Sequence, residues 1–154
     1  MKSVKQVAFA ALLTMGAFGA VTLVSCSKED DPVVCPTGFI GADCKTKAFF
    51  GSWKGSDVCS SGTYNNITIK LDPSSADSSK VIVTNPGGFG SSITVSGTIS
   101  TDARTITITN GDVSGGRTLN GTMSLTSNTG FNFAYTVTPA SGSNDVCNGT
   151  YTKQ

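Results

Sequence analysis

The sequence predicts an all-β protein whose main domain, residues 48–154, is an eight-stranded antiparallel up-and-down barrel. Three observations lead to this prediction. Eight short runs alternate apolar and polar residues, turn-forming residues separate the runs, and no segment after residue 25 has a helical period. A β-sandwich of the same strands is the alternative architecture. A signal peptide and a flexible tether are expected before the domain.

The strands are predicted from period-two alternation rich in Thr, Ile and Val, which buries one face of a strand and leaves the other in water. The pattern occurs in residues 50–59, 66–71, 81–83, 93–95, 105–109, 119–125, 131–137 and 146–153. Gly, Pro, Asn, Asp and Ser cluster between these runs and favour turns there. Because the connections are short, each strand should pair antiparallel with the next.

The first and last strands carry residues that favour closure of the barrel. Four residues of the first strand share one face, and three of the last strand do the same: Gly51, Trp53, Gly55 and Cys59, and Cys147, Gly149 and Tyr151. When the two strands are laid antiparallel with Cys59 opposite Cys147, Trp53 lies near Lys153. This arrangement predicts a disulfide Cys59–Cys147 that ties the first strand to the last.

The N-terminus has the pattern of a signal peptide. Lys2 and Lys5 precede an uncharged run over residues 6–25, whose length would also suit a transmembrane helix. The run ends in Leu23-Val24-Ser25-Cys26, which resembles the lipobox of bacterial lipoproteins. The resemblance implies that residues 1–25 are removed and that Cys26 carries fatty-acyl chains such as palmitate, which anchor the protein in a membrane.

Residues 26–34 are predicted to be a tether between the lipid and the folded part of the chain. Their acidic cluster, Ser27-Lys28-Glu29-Asp30-Asp31, resembles the surface-export signal of some Gram-negative lipoproteins. The resemblance implies a lipid anchor in the outer membrane and exposure on the cell surface. The periplasmic face of that membrane is the alternative location.

The four cysteines after Cys26 are predicted to form disulfides, which an oxidising compartment permits. They allow three pairings, and a zinc site is disfavoured because the chain has no histidine and no Cys-x-x-Cys pair. Residues 35–44, Cys-Pro-Thr-Gly-Phe-Ile-Gly-Ala-Asp-Cys, resemble the last disulfide loop of an EGF-like domain. The resemblance implies a disulfide Cys35–Cys44 and a stapled mini-loop, without the other EGF cysteines or a calcium site.

The start of the first strand, Phe50-Gly51-Ser52-Trp53, resembles the Gly-x-Trp opening of lipocalin-like (calycin) barrels. That family would imply the same number of strands and a carrier of a small apolar ligand. The chain departs from the family in two ways, because no arginine in the last strand covers Trp53 and the C-terminal helix is missing.

Composition argues against several kinds of chemistry. Of 11 basic residues, Lys2 and Lys5 leave with the signal peptide, so 9 face 10 acidic residues and no basic patch for nucleic acid is expected. Without histidine there is no Ser-His-Asp triad. The aspartates Asp57, Asp112 and Asp145 could gather at strand ends around calcium, but solvated or turn-capping roles are favoured. The sequence therefore predicts no enzyme, no cofactor and no metal site.

The function predicted from these features is that of a surface-exposed binding or interaction lipoprotein, with a lipocalin-like carrier of a small apolar ligand as the alternative. The partner is an unidentified protein, glycan or small apolar ligand. Loops 87–90 and 114–116 are expected at one rim of the barrel. Candidate contacts, which could instead pack in the core, are Trp53, Phe89, Tyr135 and Tyr151.

The inward positions of the barrel are expected to be aliphatic or aromatic, with no titratable side chain among them. They include Ile67, Ile69, Val83, Ile106, Ile108, Leu125, Phe133 and Val137. Every aspartate is then expected on a loop, exposed to water and with a pKa close to its ordinary value.

Overall fold

Eight antiparallel strands close into a barrel, which confirms the predicted architecture and rules out the sandwich. This computed structural model describes residues 33–154, so the predicted signal peptide, the lipidation site Cys26 and tether residues 27–32 lie outside the described residues. The barrel strands are β3 (Gly51–Cys59), β4 (Gly62–Pro73), β5 (Lys80–Thr84), β6 (Thr94–Ile99), β7 (Thr105–Asp112), β8 (Thr118–Ser127), β9 (Gly130–Thr138) and β10 (Asp145–Lys153). Two short strands, β1 (Phe39–Ile40) and β2 (Thr46–Lys47), pair with each other outside the barrel. No helix within residues 33–154 has the length and apolar character needed to cross a membrane.

The barrel closes where β10 pairs with β3, in the register expected from the shared faces of the two strands. Cys147 lies opposite Cys59, and Lys153 lies opposite Trp53. The disulfide Cys59–Cys147 forms across this seam. Every strand of the barrel therefore has a hydrogen-bonded neighbour on each side, which removes the exposed edges of an open sheet.

The largest difference from the predicted strands is in β4, which begins at Gly62 instead of residue 66. A bulge interrupts its pairing with β3, where Gly55 faces Ile67 but Asp57 faces Tyr64. Asn66 takes up the extra residue with a positive φ of 59°. The bulge breaks period-two alternation, so the pattern before residue 66 does not resemble a strand.

Apolar side chains fill the interior of the barrel. All eight inward residues predicted to be aliphatic or aromatic are buried: Ile67, Ile69, Val83, Ile106, Ile108, Leu125, Phe133 and Val137. Phe131 lies among three other aromatic rings, with centroid distances of 4.9 Å to Trp53, 5.0 Å to Tyr151 and 5.9 Å to Phe49. These side chains form a packed core of the kind that fills small barrels.

One end of the barrel, the closed end, is sealed by the segment between β2 and β3 together with the mini-loop. Phe49 is fully buried there, and the mini-loop is stapled by the disulfide Cys35–Cys44. Asn128, in the β8–β9 turn, holds the mini-loop through two hydrogen bonds. Its side-chain oxygen accepts from the Gly38 amide at 2.8 Å, and its side-chain nitrogen donates to the Phe39 carbonyl at 2.9 Å.

Trp53 and Lys153 form a second joint at the closed end. The indole Nε1 of Trp53 donates to the Phe49 carbonyl at 2.7 Å. Lys153 places its Nζ 5.3 Å from the Trp53 ring centroid and donates to the Ala48 carbonyl at 2.7 Å. A lysine therefore covers the tryptophan in this chain, and partial burial lowers its pKa.

Candidate functional site

The other end of the barrel, here called the open rim, is formed by the turns that join β3 to β4, β5 to β6, β7 to β8 and β9 to β10. A cavity of about 210 Å³ opens between these turns, and we refer to it as the rim pocket. Its lining residues come from three of these turns and from β3, β4, β9 and β10: Cys59, Tyr64, Gly87, Phe89, Arg117, Tyr135, Val137, Pro139, Ser143, Asp145 and Cys147.

The floor of the rim pocket is Tyr135 together with the seam disulfide. Tyr135 is buried, and its hydroxyl lies 3.9 Å from the Cys59 sulfur. Gly87 passes directly over this hydroxyl with a positive φ of 58°, and a Cβ at that position would lie 2.6 Å from the phenol oxygen. The β5–β6 turn can approach the floor only because residue 87 is glycine.

One wall of the rim pocket joins the two loops that were predicted to share a rim. The Arg117 guanidinium carbon lies 4.9 Å from the centroid of the half-buried Phe89 ring. Arg117 Nε also donates to the Ser114 carbonyl at 3.1 Å. A hydrogen bond and a cation–π contact therefore fix the guanidinium beside an aromatic surface.

The opposite wall contains Asp145, whose carboxylate holds the β3–β4 turn. Oδ1 accepts from the Ser60 hydroxyl at 2.7 Å and from the Ser61 amide at 3.0 Å. Oδ2 accepts from the Ser61 hydroxyl. These hydrogen bonds, led by those from the two serine hydroxyls, lower the pKa of Asp145, which therefore stays ionised.

Asp57 lies inside the barrel just below the rim pocket, which corrects the expectation that every aspartate is exposed on a loop. It is fully buried, and both of its oxygens accept hydrogen bonds. The Tyr135 hydroxyl donates to Oδ2 at 2.5 Å, and the Tyr151 hydroxyl donates to Oδ1 at 2.7 Å. We call these three residues the Tyr–Asp–Tyr cluster.

The pKa values of the cluster are displaced in the direction that burial dictates. Burial raises the pKa of Asp57, and the hydrogen bonds from the two tyrosines offset only part of that effect. Burial also raises the pKa of Tyr135 and of Tyr151, and the neighbouring Asp57 carboxylate adds to the rise. Both hydroxyls therefore remain protonated donors at physiological pH.

A signal for the buried aspartate is present in the sequence. Period-two alternation puts residue 57 on the same face as Gly51, Trp53, Gly55 and Cys59, and the structure follows that parity. Room for the carboxylate comes from Gly149, which faces Asp57 across the seam. A Cβ on Gly149 would overlap Oδ1 of Asp57. The alternation alone does not predict that Asp57 is buried, because a charged residue is rarely buried without a partner. Its partners, Tyr135 and Tyr151, lie 78 and 94 residues away in the sequence.

The predicted contact residues divide between the pocket and the core. Phe89 and Tyr135 line the rim pocket. Trp53 and Tyr151 are fully buried, so they pack in the core, which was the other interpretation of these aromatics.

The three aspartates considered as calcium ligands, all within the described residues 33–154, do not lie together. Asp57 is internal, Asp145 is at the rim, and Asp112 caps its own turn by accepting from the Ser114 amide at 2.9 Å. Asp145 does lie close to Cys59 and Cys147, but the sulfurs of that pair are joined in a disulfide and are not thiolate ligands.

No protein-family model matches the chain, and no curated protein matches it. Among solved structures, the redesigned β-barrel b11L5F_LGL is 20% identical, with a TM-score of 0.48 over 70% of this chain and 92% of that one. The redesigned β-barrel mFAP1, bound to DFHBI, is 19% identical, with a TM-score of 0.49 over 69% of this chain and 95% of that one. EF1p2_mFAP2b, also bound to DFHBI, is 15% identical, with a TM-score of 0.49 over 70% and 94%.

Proposed function

We propose that this chain is a lipid-anchored binding protein of the outer cell surface, which captures its partner at the open rim and does no chemistry. The observation behind the proposal is that the rim pocket lies at the end of the barrel opposite the chain's point of entry. Residues 35–44, which follow the tether, pack at the closed end. A partner can therefore approach the rim without meeting the anchor.

The length of the tether limits how far the closed end can lie from the anchor. Cys26 precedes Val33, the first described residue, by seven positions, and seven extended residues span at most about 25 Å. In the proposed arrangement a lipid on Cys26 keeps the closed end, where the described chain begins, within that distance of the membrane. The rim pocket is left accessible to partners in the surroundings.

The rim is favoured over the barrel interior as the place of binding. Below Tyr135 the interior is occupied by the buried rings of Phe133, Phe131, Trp53 and Tyr151. The rim pocket itself, at about 210 Å³, is smaller than the roughly 300–1,000 Å³ of sites that enclose drug-sized ligands. It suits a single small group, either a free molecule or a projecting part of a larger partner.

The proposal excludes catalysis because the carboxylates near the rim pocket are already engaged or fully buried. Both oxygens of Asp145 accept hydrogen bonds from the β3–β4 turn, and Asp57 has no exposed surface. A general acid or base must reach the reacting atoms of a substrate. A turnover that disappears when Asp57, Asp112 or Asp145 is changed would overturn this part of the proposal.

Replacing Cys26 with serine is expected to abolish membrane partition, because serine cannot form the thioether that carries the lipid. Membrane fractionation of wild type and Cys26→Ser measures this directly. Protease added to intact cells should also degrade the wild-type domain. The double variant Cys35→Ser/Cys44→Ser is the control, since it loses cysteines but keeps the anchor. Normal partition of Cys26→Ser would contradict the anchor, and cleavage only after the outer membrane is opened would place the protein in the periplasm.

Replacing Phe89 with alanine is expected to abolish partner capture with a loss of stability below about 1 kcal/mol, because Phe89 is only half-buried at the rim. The measurement is surface cross-linking on intact cells, with thermal unfolding of the purified variant alongside. Val146→Ala is the matched control: Val146 is 54% exposed near the same end but does not line the rim pocket. Capture that survives Phe89→Ala, or that Val146→Ala abolishes equally, would move the binding surface away from the pocket.

A further inference from the structure

Of the two charged side chains that line the rim pocket, Arg117 has hydrogen-bond donors free for a ligand, whereas the oxygens of Asp145 already accept hydrogen bonds. Within the described part of the chain, no carboxylate lies within 4.0 Å of the Arg117 guanidinium, and Nε is its only nitrogen with a hydrogen bond. Its terminal amino groups are the donors that pair with carboxylates in a planar, bidentate manner. The rim pocket therefore offers an anion a free cationic fork.

The one carboxylate in the lining is not free in the same way. Asp145 accepts three hydrogen bonds from Ser60 and Ser61, which occupy both of its oxygens. A cationic ligand would have to displace the bonds that hold the β3–β4 turn in place. An anionic ligand meets no such cost at Arg117.

The remaining lining is mostly apolar. The Phe89 ring, Val137, Pro139 and the seam disulfide surround the space beside the guanidinium. The volume of about 210 Å³ leaves room for one ring or one branched chain. Flat groups are favoured because they can lie against the aromatic ring that already stacks on Arg117.

We infer that the rim pocket binds a small monocarboxylic acid with a compact aromatic or branched body. The carboxylate lies on the terminal amino groups of Arg117, and the body lies against Phe89 and Pro139. The inference rests on the proposed function, because it assigns a class of ligand to the same binding site at the open rim. It adds that recognition depends on one negative charge.

Titration of the full-length lipidated protein in detergent with benzoate tests the inference. Benzamide and benzylamine serve as neutral and cationic analogues of nearly the same shape. Benzoate should bind at least about tenfold more tightly than benzamide, because only benzoate brings a negative charge and two acceptor oxygens that pair with the guanidinium in a bidentate manner. Arg117→Gln should reduce benzoate binding to the level of benzamide and leave benzamide binding unchanged.

Two further variants separate recognition from folding. Arg104→Gln is the matched control, since Arg104 lies in the β6–β7 turn at the closed end, and it should leave every affinity unchanged. Arg117→Lys keeps the charge but loses the planar fork, so its benzoate affinity should fall between wild type and Arg117→Gln. Thermal midpoints should agree among all variants.

Several outcomes would overturn the inference: equal affinity for benzoate and benzamide, tighter binding of benzylamine, or no effect of Arg117→Gln on benzoate. Absence of binding by all three probes would overturn it as well. If Phe89→Ala still abolished surface capture in that case, the proposed rim-binding function would stand without the carboxylate. If capture were also independent of Phe89, both would fail.

Discussion

Replacing both Cys59 and Cys147 with alanine is expected to lower the free energy of unfolding by roughly 4–5 kcal/mol. The disulfide joins residues 88 positions apart, and a cross-link that closes so long a loop removes much of the entropy of the unfolded chain. Alanine avoids burying a hydroxyl at position 147, where the side chain is almost fully buried. Denaturant unfolding without added reductant, so that the disulfides of the wild type stay intact, measures the difference in the free energy of unfolding.

The disulfide of the mini-loop is the natural comparison. Cys35 and Cys44 are only 9 positions apart, so the same entropic relation gives about 2–3 kcal/mol for Cys35→Ala/Cys44→Ala. The expected order is therefore a larger loss from the seam than from the mini-loop. Equal losses would show that loop closure is not the source of the seam's contribution.

Replacing Asp57 with alanine is expected to destabilise the protein by about 2–4 kcal/mol at neutral pH. The change leaves the hydroxyls of Tyr135 and Tyr151 without their acceptor, and each unpaired buried donor costs about 1–3 kcal/mol. Release of the buried carboxylate offsets part of this loss. Asp112→Ala is the matched control, because that exposed carboxylate accepts one turn hydrogen bond and its removal should cost less than about 1 kcal/mol.

The pH dependence of stability distinguishes the charge of Asp57 from its shape. The folded-state pKa is raised above the ordinary 3.8, so between the two values the folded protein binds more protons at this site than the unfolded chain does. The free energy of unfolding of the wild type, measured relative to that of Asp57→Asn, should therefore be highest below the unfolded pKa. It should fall as pH rises from the unfolded pKa to the folded pKa, and it should stay constant above the folded pKa.

Three other aspartates affect the pH dependence of stability in the opposite direction, both in the wild type and in Asp57→Asn. Hydrogen bonds lower the pKa of Asp77, Asp102 and Asp145, so their contribution is present above the unfolded pKa and is lost as pH falls through the folded values. Because wild type and Asp57→Asn share these groups, they cancel in the difference. A difference that grows with rising pH would mean that the tyrosines outweigh burial at Asp57.

Local pattern was enough to predict the strands and their closure. A strand exposes alternate residues to one face, so the buried set of β9 can be read from its segment alone, and the matched faces of Cys59 and Cys147 fix the seam. β4 departed most, because the bulge at Asn66 changes which face each residue occupies, and β6 and β7 run past their predicted ends to Ile99 and Asp112.

The rim pocket and the Tyr–Asp–Tyr cluster were decided by tertiary structure. Phe89 contacts Arg117 because Gly87 takes a positive φ and lets the β5–β6 turn fold over Tyr135. The alternation of apolar and polar residues does not predict this turn conformation. Asp57 is buried because closure of the barrel brings two hydroxyls to it from β9 and β10, far away in sequence. Burial of one charge depends on partners that only the closed barrel supplies, whereas the strands depend on the alternation of neighbouring residues.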